Sequence, residues 1–218
     1  MQNSFDPTIT ARIAARNQPE QIRARLTLRL SFIYLSAFVA GLMFCRYALS
    51  HIPHAVHLLS EHIFTPPFSA CHAARDYVRQ ILISARVEIL VLALLVLSGM
   101  TLFCEHACHG VLSLHALFFG AECYSAIDRV MHGSAGLPHA NLTFFLYFFC
   151  QLASVAVLFA AAAEAVIFSC RYRDLVHGLR KEREALSVHY MLCTVSTGGT
   201  LAIIAAVRTL MAVMIEKI

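Results

Sequence analysis

Two charged residues lie inside long apolar stretches of the chain, where an unpaired charge is costly. Glu122 falls within residues 110–127, and Arg208 falls within residues 190–215. A charge at the centre of a membrane helix costs roughly 2.5 to 3.5 kcal/mol even on the scale derived from insertion experiments. We therefore expect Glu122 and Arg208 to pair or to share one polar pocket. Such a pocket would serve as an interhelical clamp or as a proton or ion transport site, unless Arg208 alone extends to the headgroups.

Two further polar residues, Glu164 and His115, interrupt apolar segments. Glu164 lies near the end of its segment, and His189, Tyr190 and Thr194 at the start of the last apolar segment are candidate partners. We expect a hydrogen-bonded glutamate that locks two helices together. His115 requires similar protection, because polar side chains in the bilayer are costly unless they face other protein.

Two clusters contain the residue types that bind zinc. The first is Cys104, His106, Cys108 and His109, and the second is His51, His54, His57, His62 and His72. The first set surrounds a predicted tight turn, where four tetrahedral ligands converge poorly. In the second set, a spacing of three places some imidazoles on one helix face, but interfacial histidines are common without metal. We predict neither a metal site nor a cofactor.

The motifs of intramembrane proteases are missing from the sequence. Ser98-Gly99 lacks the preceding glycine of a Gly-x-Ser-Gly motif, and no His-Glu-x-x-His occurs. Glu122 has no adjacent glutamate. We therefore expect no enzymatic activity.

Composition identifies the class of protein. The 218 residues are 59% hydrophobic with a mean hydropathy of +0.68, which indicates one integral membrane domain. The net charge of +4 is concentrated at segment boundaries, so it does not indicate a nucleic-acid partner. Six of the eight cysteines lie in or beside apolar segments, and we interpret them as packing residues: Cys45, Cys104, Cys123, Cys150, Cys170 and Cys193.

Helix-length apolar segments predict the architecture, an all-α polytopic membrane helical bundle with five transmembrane helices and short amphipathic interfacial helices. The predicted spans are residues 30–49, 87–104, 110–127, 142–169 and 190–215, within a membrane domain of residues 30–218. A polar connector at residues 105–109 predicts an antiparallel hairpin around which the rest packs. Residues 1–29 form a basic tail, and residues 50–86 form an outer loop with two amphipathic halves broken at Pro66-Pro67.

The distribution of basic residues predicts the orientation. The tail and residues 170–189 hold ten of the seventeen Lys and Arg residues, and basic segments stay in the cytoplasm. We expect a multi-pass cell-membrane protein with its amino terminus in the cytoplasm and its carboxyl terminus outside.

The hairpin and the segment after it resemble the stage II sporulation protein M family of membrane proteins. The matching stretches are 99–101 (Gly-Met-Thr), 115–120 (His-Ala-Leu-Phe-Phe-Gly) and 137–142 (Leu-Pro-His-Ala-Asn-Leu). The motif residues among them are Gly99, Thr101, Gly120, Pro138 and Asn141. His115 stands where the family usually has arginine, and one extra residue separates Pro138 from Asn141.

The resemblance implies a non-catalytic membrane scaffold that recruits or anchors peptidoglycan-remodelling enzymes during engulfment in sporulation. Its implied partners are the cell-wall hydrolases of the engulfment complex, besides membrane lipid, and homo-oligomerisation is left open. The candidate partner surface is the apolar part of the outer loop, namely Ile52, Val56, Leu59, Ile63, Phe64 and Phe68. Insertion of these side chains into the headgroup layer is the competing interpretation. The alternative function is a small transporter or channel that uses an intramembrane Glu/Arg polar site.

Overall fold

The computed structural model describes residues 7–51, 74–101, 103–132, 139–174 and 180–216. These residues form five helices: α1 (Pro7–His51), α2 (Ala74–Gly99), α3 (Cys104–His132), α4 (His139–Asp174) and α5 (Arg180–Glu216). All the regular secondary structure in the described part of the chain is helical, which confirms the all-α class.

Four of the helices are long and apolar enough to cross a membrane. The candidate segments are Ala24–Ala48 in α1, Tyr77–Gly99 in α2, Phe145–Arg173 in α4 and Glu184–Met211 in α5. Their outer faces present large apolar side chains, such as Phe32 and Val195, which are 75% and 72% exposed. Lipid covers such faces without cost, so the bundle is consistent with a multi-pass membrane protein.

The third helix, α3, is not among the four, although it packs against α1, α2 and α4. Its sequence carries the polar residues His115 and Glu122 among its apolar ones. His115 is only 4% exposed. A helix enclosed by its neighbours can carry polar side chains because they contact protein rather than lipid.

The chain turns between the end of α2 at Gly99 and the start of α3 at Cys104 and not at residues 105–109, so the predicted connector is wrong. Residues 105–109 form the first turns of α3, which begins at Cys104. Thr101 Oγ1 donates to the Ser98 carbonyl (2.8 Å), and the Thr101 carbonyl accepts from Ser169 Oγ (3.1 Å). The apolar residues Met100 and Phe103 concealed this turn, because they prolong the apolar run.

Two other predicted boundaries fall inside helices. Helix α1 runs without a break from residues of the predicted tail into the first predicted span. Helix α2 begins at Ala74, so Val78 and the rest of the second amphipathic half belong to a helix that is long and apolar enough to cross a membrane. Its polar residues Gln80 and Glu88 are buried, which explains the mixed pattern. The first amphipathic half, with Ile52, Val56, Leu59, Ile63, Phe64, Pro66-Pro67 and Phe68, lies outside the described residues, as does Pro138.

Helices α1 and α3 run in the same direction and meet at two glycines. A Cβ at Gly41 would meet the Leu117 carbonyl oxygen, and a Cβ at Gly120 would meet the Phe38 carbonyl oxygen. Small residues allow such close approach of membrane helices. The family-motif residue Gly120 therefore has a packing role.

Helices α2 and α5 also pack against each other. Val96 of α2 lies beside Tyr190 of α5, whereas Ser84 lies beside Arg208, so α2 and α5 are antiparallel. Another motif residue, Gly99, ends α2 against the Tyr190 side chain. These contacts bring the polar residues of α2 and α5 to the same level.

Candidate functional site

Arg208 of α5 is buried at the centre of a polar cluster and is only 4% exposed. Its Nη1 donates to Glu88 Oε1 (2.9 Å) and to Gln151 Oε1 (2.7 Å). Its Nε donates to Ser84 Oγ (2.8 Å), and its Nη2 donates to the Ser84 carbonyl. One guanidinium therefore joins α2, α4 and α5.

Helical spacing places the partners of Arg208. Ser84 and Glu88 are four residues apart on α2, and Tyr147 and Gln151 are four residues apart on α4. Residues at this spacing share one helix face. Each helix therefore presents two polar side chains at the level of Arg208.

Glu122 of α3 is linked to Arg208 through Tyr147. The Tyr147 hydroxyl donates to Glu122 Oε1, and the Arg208 guanidinium carbon lies 5.2 Å from the centre of the Tyr147 ring. A guanidinium at this distance from an aromatic face is attracted by it. Glu122 and Arg208 thus line one polar region, and the Glu88 carboxylate lies within salt-bridge distance of Arg208.

The cluster forms one wall of a cavity of about 560 Å³. Helices α2 and α3 form its sides, and Tyr147, Gln151 and Arg208 close it from behind. The side chains at the bundle surface are apolar and exposed, namely Leu90, Leu94, Leu114 and Phe118. The cavity therefore opens sideways, on a face that lipid would cover.

His115 lines the same cavity and connects it to α1. The Tyr34 hydroxyl lies 3.0 Å from His115 Nδ1, and both side chains are buried. The Tyr34 ring also packs edge-on against Phe159 of α4 at 5.2 Å between centroids. His115 is thereby held by protein on the side away from the opening.

One atom of the site has no hydrogen-bond partner among the described residues. Glu88 Oε2 is fully buried, whereas Oε1 accepts from Arg208. A buried acceptor without a donor costs about 1–3 kcal/mol, and more when the group is charged. A buried water, or a donor on a bound molecule, would remove this cost.

The first cluster of zinc-binding residue types lies around the start of α3. Its members are Cys104, His106, Cys108 and His109, for which we predict no metal site. Cys104 Sγ and Cys108 Sγ lie 3.8 Å apart and are buried, but His106 is exposed. Of the described residues, a different set of three, which includes Glu164 and His189, brings its ligand atoms together. The expected neighbourhood of Glu164 is thus present, and His189 belongs to it.

Sequence reasoning missed Ser84, Glu88, Tyr147 and Gln151. Glu88 was assigned to the edge of a span, where a charge needs no explanation. The signal was present in the spacing of Ser84 to Glu88 and of Tyr147 to Gln151, because polar residues four apart in apolar helices indicate a common buried face. Asn141 lies in α4, and its side chain is outside the described residues.

Comparison with known proteins finds no matching family model, no similar curated protein and no similar solved structure. The resemblance to the sporulation family therefore stays a prediction.

Proposed function

We propose that the protein is a small membrane transporter that binds an amphiphilic molecule in the cavity between α2 and α3. The observation that supports this proposal is the cavity itself, about 560 Å³, with the Arg208 cluster on its wall. Small-molecule sites usually have volumes of about 300–1,000 Å³, mostly apolar walls and a few convergent polar groups. The cavity has all three properties.

The chemistry of the lining indicates the ligand class. An apolar body fits the opening between α2 and α3, where Leu90 and Phe118 are exposed. Four lining residues carry formal charges that cancel: Arg86, Glu88, Glu122 and Arg208. A wall with balanced charges favours a ligand whose polar head is neutral or carries both a positive and a negative charge. The unpartnered Glu88 Oε2 favours a head with a hydrogen-bond donor, such as a hydroxyl or an amine.

An interhelical clamp is the competing explanation of the cluster. The contacts of Arg208 with α2 and α4 would hold the bundle together in either case. A clamp alone, however, needs no space beside it, because protein interiors are close-packed with few voids larger than a water molecule. The size of the adjoining cavity therefore favours ligand binding.

We further propose five crossings, with the amino terminus in the cytoplasm and the carboxyl terminus outside. The basic residues that flank α1, α4 and α5 support this orientation. Arg208 is eight residues from Glu216, the end of α5, which corresponds to about 12 Å along the helix. The cluster would then lie in the outer half of the bilayer, within reach of lipid-soluble molecules.

Photolabelling in proteoliposomes tests the binding step. The probe is an amino acid with a long alkyl chain, whose head carries both signs and donates hydrogen bonds. A photoreactive diazirine lies in its chain, and the labelled peptides are identified by mass spectrometry. We expect labelling of α2 and α3 around Leu90, Leu94 and Leu114, lowered more than about tenfold by Glu88→Gln. The control is Glu184→Gln, an exposed carboxylate on α5 away from the cavity. Labelling spread evenly over all lipid-facing helices would overturn the proposal.

Flux measurements test the transport step separately. The labelled long-chain amino acid should leave loaded proteoliposomes faster with the wild-type protein than with Glu122→Gln. Equal rates for both proteins and for empty liposomes would limit the function to binding.

The scaffold for peptidoglycan-remodelling enzymes remains a second proposal, and its support is the resemblance together with the apolar outer loop. Substituting Phe64 and Phe68 by serine tests it. Loss of co-purifying wall hydrolases at normal membrane levels would favour docking, whereas unchanged co-purification would identify the loop as a membrane anchor.

A further inference from the structure

A histidine and a cysteine lie one turn apart on α5, beside a glutamate of α4. The ligand atoms of Glu164, His189 and Cys193 all lie within 4.8 Å of one another. In the part of the chain that the structure describes, this set of three is the one whose side chains converge in this way. None of these residues lines the cavity between α2 and α3, so the transport proposal does not account for them.

The two α5 residues already have the separation that zinc requires. His189 Nε2 lies 3.6 Å from Cys193 Sγ. Zinc binds histidine nitrogen at about 2.0–2.1 Å and cysteine sulfur at about 2.3 Å, and a tetrahedral angle then separates the two atoms by about 3.6 Å. Zinc could therefore enter between them without movement of the helix.

Glu164 can supply the third ligand after a small movement. A carboxylate oxygen bound to the same zinc at about 2.0–2.2 Å would lie roughly 3.4–3.6 Å from the nitrogen and sulfur ligands. The present separations are no greater than 4.8 Å, so the oxygen has to move by at most about 1.4 Å. Rotation of the half-buried glutamate side chain is sufficient for this.

Packing beside the three residues holds the two helices in register. The Tyr190 ring, next to His189, stacks on Phe168, which lies one turn beyond Glu164, at 4.2 Å between centroids and 11° between planes. The Tyr190 hydroxyl also donates to the Val96 carbonyl of α2 at 3.3 Å. A site supported by locked neighbouring side chains loses little freedom when it binds a ligand.

We propose that Glu164, His189 and Cys193 bind a zinc ion that links α4 to α5. A mixed set of imidazole, thiolate and carboxylate suits this borderline-soft ion. Three protein ligands leave a fourth position for water or an exogenous ligand, as in zinc sites that remain exchangeable. His189 is exposed, so the fourth position is accessible from the bundle surface.

Cobalt substitution in the purified full-length protein tests the site. After chelator treatment, added Co²⁺ should bind at one ion per chain and produce the near-ultraviolet absorption of a thiolate–cobalt bond. Cys193→Ser should abolish this absorption. His189→Gln and Glu164→Gln should each weaken Co²⁺ binding more than about tenfold, because even the loss of an outer-sphere partner of a metal commonly costs 10–100-fold.

Other cysteines provide matched controls. Cys170→Ser changes an exposed thiol on α4, and Cys104→Ser with Cys108→Ser removes the buried pair at the start of α3. Both proteins should keep the absorption. The proposal is overturned if the wild-type protein shows no thiolate–cobalt absorption or if Cys193→Ser keeps this absorption. It is also overturned if substituting Cys104 and Cys108 abolishes the absorption. If Cys193→Ser folds poorly, His189→Gln decides, and unchanged Co²⁺ affinity overturns the site.

Discussion

Arg208 and Glu88 form a buried ion pair at 2.9 Å although 120 residues separate them along the chain. Each side chain is 5% exposed. The pair joins the second helix of the bundle to the last one. It therefore makes the stability of the bundle depend on contacts between the two halves of the sequence.

Breaking this pair from one side should destabilise the protein strongly. Arg208→Met leaves Glu88 buried without its cation, and the expected loss is about 3–5 kcal/mol of unfolding free energy. Denaturant unfolding in detergent micelles measures it. Arg171→Met, an exposed arginine on α4, is the control and should have little effect.

The double substitution of Arg208→Met with Glu88→Met should recover much of the unfolding free energy that Arg208→Met alone loses. An apolar pair of similar size replaces a buried ion pair at little cost. Strict additivity of the two single losses would contradict the pairing, since residues in contact show interaction energies of about 0.5–3 kcal/mol.

A methyl group at the α1–α3 crossing should force the two helices apart. Gly41→Ala and Gly120→Ala each place a Cβ against backbone of the other helix, so overpacking should cost about 1–3 kcal/mol. Gly199→Ala is the matched control, because no atom lies within 4 Å of its added Cβ. The control should be neutral or more stable by about 1 kcal/mol, from helix propensity. Equal melting temperatures for all three variants would refute the close crossing.

The Tyr34 hydroxyl should contribute to stability through His115. Tyr34→Phe removes this 3.0 Å contact and leaves the ring in place, so we expect a loss of about 1 kcal/mol. Tyr47→Phe, on an exposed part of α1, should be silent in the same thermal unfolding assay. A larger loss for Tyr47→Phe would show that the tyrosine hydroxyls act through solvent or lipid.

Cysteine labelling in intact cells should report the orientation. A membrane-impermeant maleimide should modify Cys71 from outside but not a cysteine that replaces Arg180, because the basic segments are expected in the cytoplasm. Labelling at position 180 in sealed cells would reverse the proposed topology. Permeabilised cells, in which both positions react, provide the control.

Apolar length was sufficient to locate the helices, but it could not locate the turn. Met100 and Phe103 continue the apolar run past the end of α2, and the polar residues that follow belong to α3. A turn in a membrane protein can thus be apolar when its backbone groups are satisfied, as the hydrogen bonds of Thr101 show.

Charge inside an apolar segment was sufficient to identify Arg208 and Glu122 as site residues. The partner Glu88 was missed because its helix begins at Ala74, which places it about four turns inside α2 rather than at an edge. Which helices face one another is a tertiary property. Local patterns contain no information on the approach of α2 to α5, so the pairing of Glu88 with Arg208 required the structure.

The glycine contact between α1 and α3 also constrains the order in which the protein can be made. Within the described residues, α1 packs on α3 and α4 and makes no helix contact with α2. During synthesis, a membrane-spanning α1 would therefore present Gly41 to lipid until α3 has been translated. Helix α1 thus has to wait for α3 before it can pack on its main partner.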